Sequence, residues 1–235
     1  MKNLSTKNPV LYSILLVIIV MLAAAVLTGA FTVAGFRDLS SSIARIIIFA
    51  VLVFIFRDCY HWDKSFSGIT YALAALIPAV WNIAYNSFNG AVLRSDLPVV
   101  LICALAPAVF EESLFRIIPF QKMEDQNMSK MSIVLITALV FGLIHLTNMV
   151  SGNVVGTLVQ TFYAVAVGLL FGGLYILTKD PASVILAHFL TDFTSQMFTN
   201  QPSSTPVLQV IIFVVLLAVI SVYGIMLTRK AEKEN

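Results

Sequence analysis

The chain is short of charge. Asp, Glu, Lys and Arg make up 11% of its 235 residues, against 59% hydrophobic, where a soluble domain carries about 25% charged residues. So little polar surface cannot solvate a globule of this size, which leaves lipid as the solvent. A formal net charge of +2 supplies no basic stripe, and the aromatic residues follow the apolar runs, so nucleic acid is excluded as a partner. Cysteine is scarce too. Cys59 and Cys103 lie far apart at no metal or redox spacing, which argues against a disulfide framework and a cysteine-built metal site. No HExxH, GxSxG or GxGD occurs, so the helical zinc signature and the serine-elbow signature are both missing. No stretch between apolar runs is long enough to hold a soluble domain, and the expectation is one membrane domain over residues 1–235.

What the chain has in quantity is apolar runs near the ~20 residues that a transmembrane helix needs. Eight are expected: Pro9–Val33, Ile43–Phe56, Phe66–Tyr85, Leu97–Phe120, Met131–Asn148, Val155–Leu177, Pro181–Phe198 and Pro206–Leu227. The fold class is therefore all-α, a polytopic membrane helical bundle of about eight transmembrane helices. Lys2 and Lys7 before the first run resemble the start of a signal peptide, but at about 25 residues the run exceeds the usual h-region of about 7–15, so it is expected to stay as the first helix. Orientation follows from basic residues. With the N-terminus cytoplasmic and eight spans, Lys2, Lys7, Arg57, Lys64, Lys122, Lys130, Lys179, Arg229, Lys230 and Lys233 fall inside, and Arg37, Arg45 and Arg94 outside. Both termini are expected to be cytoplasmic, in a cell (cytoplasmic) membrane.

Several ionisable residues interrupt these runs. The fourth holds Glu111, Glu112 and Arg116, the fifth His145, and the seventh His188 and Asp192. A charge at the centre of a span costs roughly 2.5–3.5 kcal/mol on insertion scales, so such groups face a bundle interior or a wet cavity and mark function. Glu112 and Arg116 are four apart with the carboxylate first, the favourable order for an ion pair on one helix face. Glu111 is turned about 100° away and is the free carboxylate. His188 and Asp192 also share a face, with Asp192 either orienting His188 or pointing its own oxygen into the site. Phe141 lies one turn before His145 and can wall the imidazole. Pro107, four residues before Glu111, removes a backbone hydrogen bond and is expected to kink the helix beside the carboxylate. Taken singly, the Glu112–Arg116 pair is structural support and one membrane histidine is helix glue. Two in-span histidines together with in-span carboxylates read as a site.

The residues Glu111-Glu-Ser-Leu-Phe-Arg116, Phe141-Gly-Leu-Ile-His145 and His188-Phe-Leu-Thr-Asp192 resemble, in order, the EExxxR, FxxxH and HxxxN/D motifs of the CAAX protease and bacteriocin-processing (Abi) family of intramembrane glutamic endopeptidases. The resemblance covers residues 97–195, the expected catalytic core; the other helices are generic. It implies metal-free, cofactor-free peptide hydrolysis with Glu111 as the base that activates water, His145 assisting, and His188 and Asp192 at the oxyanion. The family's prenyl-protein endopeptidases carry Asn where this chain has Asp192. The implied partners are the bilayer and a peptide or lipidated protein substrate, with no signal for an oligomeric state. Two competing readings use the same residues: a non-proteolytic regulatory or scaffold protein of the same fold, and a proton-coupled transporter.

Overall fold

A computed structural model of the chain describes residues 2–36, 38–61, 71, 73, 76–199 and 207–234. In chain order the helices are α1 (Lys2–Lys7), α2 (Pro9–Val33), α3 (Ser40–Ile55), α4 (Leu76–Phe88), α5 (Leu97–Glu112), α6 (Ile118–Glu124), α7 (Lys130–Ile144), α8 (Val154–Thr178), α9 (Pro181–Gln196) and α10 (Val207–Lys233). An antiparallel ladder joins β1 (Val92–Leu93) to β2 (Phe198–Thr199), with Val92 opposite Thr199. The first part of the expected third span, Phe66–Tyr85, lies outside the described residues, as does Pro206 at the start of the eighth.

The fold is all-helical and multi-pass. Among the described residues, five helical stretches are long and apolar enough to cross a membrane: Pro9–Val33, Leu97–Glu124, Lys130–Val150, Val154–Thr178 and Val207–Lys233. The second expected span forms the shorter apolar helix α3. Helix starts follow local chemistry. Asn8, Ser129, Asn153 and Asp180 each turn a side-chain oxygen onto a backbone N–H of the first turn, and Pro9 and Pro181 occupy positions where the missing N–H costs nothing. The fifth span differs from expectation at its end. Instead of running on to Asn148, α7 stops at Ile144 and a 3-10 segment covers His145–Ser151, so His145 sits at a change of helix type.

Helix α8 is the axis of the bundle, packed between α7 and α10, while α9 lies between α4 and α5 and α3 between α2 and α5. Small residues permit the closest approaches, as expected where lipid gives helices no hydrophobic reason to associate. A Cβ at Gly173 would collide with the Gly224 carbonyl oxygen of α10, and one at Gly168 would lie 3.0 Å from Ala138 Cα of α7. Gly173→Val is therefore expected to destabilise the bundle by about 1–3 kcal/mol through overpacking. Thermal unfolding in detergent measures it, and an unchanged midpoint would refute this account of the crossing.

Candidate active site

The EExxxR segment does not form a plain α-helix. After α5 the backbone widens into a π turn over Ser113–Ile117, with Ile118 N–H bonded back to Ser113 O, before α6 resumes. Single π turns inside helices occur often at functional sites. Pro107 stays within α5 and lines the cavity described below; the irregularity falls after the two glutamates. From Glu112 to Phe120 every residue is buried.

The two glutamates diverge. Glu112 is fully buried, and its Oε1 accepts from Arg116 Nη1 at 2.9 Å and from His188 Nδ1 at 2.7 Å. Glu111 keeps 16% of its side chain exposed, with Oε2 at 3.8 Å from His188 Nε2. Asp192 Oδ2 lies 3.7 Å from the same nitrogen. His188 is thus oriented through Nδ1 by Glu112, 76 residues away in the chain, while Asp192 stands at the opposite nitrogen. A carboxylate only accepts, so Nδ1 carries a proton. Carboxylate oxygens also face Nε2, and acceptors on both sides match a ring that donates from both nitrogens.

His145 is held differently. Its Nδ1 lies 2.8 Å from Phe141 O. A carbonyl also only accepts, so Nδ1 bears the hydrogen and Nε2 of the neutral ring is left as an acceptor. Phe141 is the contact shared by the whole cluster. Its ring meets those of Phe115, His145 and His188 edge-on, with centroids 5.1, 5.1 and 6.2 Å away, and the Arg116 guanidinium lies 4.2 Å from its centroid. This cation–π contact replaces hydrogen bonds, since Arg116 Nε and Nη2 have no partner among the described residues.

Glu111, His145, His188 and Asp192 all line one cavity of about 1260 Å³, larger than the roughly 300–1,000 Å³ of small-ligand pockets. Arg45, Asn86 and Tyr163, which sequence reasoning assigned no role at the site, line it too. Among the described residues Arg45 is the only Lys or Arg in that wall. Asn86 is 3% exposed and gives its amide N–H to Asn82 O, and its Oδ1 has no partner among the described residues. Asn82 in turn donates to Thr191 O at 2.9 Å, which ties α4 to the turn of α9 that carries Asp192. The available signal was the i,i+4 spacing of two amides inside an apolar run.

Residues 93–194 match the family model for type II CAAX prenyl endopeptidase Rce1-like proteins. That stretch runs from β1 to the last turn of α9 and contains all three motifs; α1–α4 and α10 lie outside it. No curated protein and no solved structure matches the chain. The Rce1-like match supports a membrane peptidase at the level of the family.

Proposed function

We infer that the cavity is the active site of an intramembrane glutamate endopeptidase acting on peptides or lipidated proteins in the bilayer. The observation that carries this reading is the convergence of Glu111 Oε2 and Asp192 Oδ2 on His188 Nε2, at 3.8 and 3.7 Å, in the wall of one cavity. A water between Glu111 and the scissile carbonyl gives its proton to Glu111 while its oxygen attacks the carbonyl carbon. His188 Nε2–H donates to the resulting oxyanion, in surroundings of low dielectric where such a bond counts most. The C–N bond then breaks as the departing nitrogen takes up a proton, and the carboxylate of Glu111 is restored. His145 Nε2, an acceptor, holds the attacking water on its second side. Glu112, Arg116 and Phe141 act through His188 and His145 by fixing their rings.

Asp192 carries a specific expectation. Glu112 already orients His188, so Asp192 is not needed for that purpose. Asp192→Asn, which offers an N–H to the oxyanion, will keep cleavage, whereas Asp192→Leu will lower it; assays on membranes expressing each variant decide. Equal loss in both would assign Asp192 a role that needs its charge.

The test of the function itself is a comparison of peptide termini between cells expressing the wild type and Glu111→Gln. Termini present only with the wild type establish hydrolysis and name the substrate. Identical termini overturn the reading. We further place eight spans in the membrane with both termini cytoplasmic, on the distribution of Lys and Arg; reporter fusions at each end check this.

A further inference from the structure

Most of the basic residues lie at the end of the bundle opposite the mouth of the cavity. At one end Lys179, after α8, pairs with Glu124 at the end of α6, and Lys130, at the start of α7, donates to Ala231 O near the end of α10. The start of α2 lies there too, since Val10 and Ser13 flank Pro119 and Met123. This end carries Lys122, Lys130, Lys179, Arg229, Lys230 and Lys233. At the other end Arg94 is paired with Asp96 at 2.6 Å beside the β1–β2 ladder.

A set of amide and hydroxyl residues around the cavity sits at the ends of helices away from that basic cluster. Ser41 begins α3, Asn86 nears the end of α4, Asn148 follows α7, Gln160 is in the early turns of α8, and Gln196 ends α9. Two amide–amide bonds stitch this rim, Asn148 to Gln160 at 3.0 Å and Asn89 to Gln209 at 3.1 Å. Amides at the rim of an apolar bundle need partners or water. Toward the basic end the floor is closed: Leu114, Ile117, Ile118 and Phe120 of the π turn and α6 are at 0% exposure.

We propose that the cavity is entered from the extracytoplasmic face, so that the chain acts on peptide presented on that side of the membrane. Basic ends of membrane proteins stay cytoplasmic, which puts the amide rim outside. Glu111 lies fourteen residues after Leu97, so it is about 21 Å below the start of α5. Reaching it takes about six residues of extended chain. The substrate is thus an unfolded terminus or linker, not the surface of a folded domain. What enters rests on the peptidase reading; where it enters does not.

The test is thiol accessibility in the full-length protein, with Cys59 and Cys103 replaced and one cysteine introduced at a time. Asn148→Cys and Gln196→Cys report the rim, and Lys233→Cys the basic end. A membrane-impermeant sulfonated maleimide is added to right-side-out and to inverted vesicles. The expected result is labelling of the two rim cysteines in right-side-out vesicles and of Lys233→Cys only in inverted ones. Rim cysteines that label only in inverted vesicles, or on the same side as Lys233→Cys, overturn the proposal. So do rim cysteines that label from neither side yet react once the protein is denatured. If the labelling is as expected but no termini depend on Glu111, the entrance stands and the peptidase reading falls.

Discussion

Glu111→Gln will abolish the generation of new peptide termini while leaving the protein folded and in the membrane. The amide keeps the size of the side chain but cannot take a proton from water, and loss of a positioned general base typically costs 10²–10⁴-fold, so a drop of about 10³-fold in turnover is expected. Stability will change little, because Glu111 stands 3.8 Å from His188 Nε2, beyond hydrogen-bond distance, and keeps part of its side chain exposed. The two readouts therefore separate. Lost cleavage with an unchanged unfolding midpoint supports a base; lost cleavage together with lost protein would instead make Glu111 structural. Cleavage retained in Glu111→Gln would remove the proposed mechanism outright.

Arg116→Leu will have the largest effect on stability. It leaves the Glu112 carboxylate fully buried with His188 as its remaining partner among the described residues. Breaking a buried pair by removing one member costs about 3–5 kcal/mol, whereas replacing both members by apolar groups is often close to neutral. Arg116→Leu combined with Glu112→Leu should accordingly recover part of the loss in unfolding midpoint. It will not recover cleavage, since His188 Nδ1 then has no carboxylate to hold it. Arg116→Lys is expected to restore little, because an ammonium on a flexible stem does not reproduce a planar group lying 4.2 Å from the Phe141 ring. If the double variant is no more stable than Arg116→Leu, the pair's cost is not that of an uncompensated charge.

Helical spacing encodes one of the contacts of Glu112 and not the other. That Glu112 meets Arg116 and Glu111 does not is legible from helical geometry, because both statements concern neighbours on one helix. The His188 Nδ1–Glu112 bond joins two helices 76 residues apart, and no spacing within either helix encodes it. The i,i+4 spacing of His188 and Asp192 left two roles open for the aspartate, orienting the ring or pointing its own oxygen into the site. Yet i,i+4 places both on one face without saying which nitrogen faces which oxygen, and another helix supplies the nearer carboxylate. Phe141 shows the same limit: its position one turn before His145 predicts a wall for that ring, but its contacts with His188, Phe115 and Arg116 come from α5–α6 and α9 arriving on its other sides.

By itself the sequence determined that this is an all-helical membrane chain, which residues pay to be in apolar runs, and which end of the bundle is basic. Each follows from composition or from the period of one helix, and lipid enforces them by leaving unpaired polar groups no solvent. Only the tertiary structure decided that Glu111, His145, His188 and Asp192 share one cavity, that Arg45 and Asn86 join them, and that the amide rim lies away from the lysines. Those outcomes depend on where helices cross. The crossings are set by contacts such as Gly173 against Gly224, by the widened turn after Glu112, and by the Asn82–Thr191 bond, none of which any one segment specifies alone.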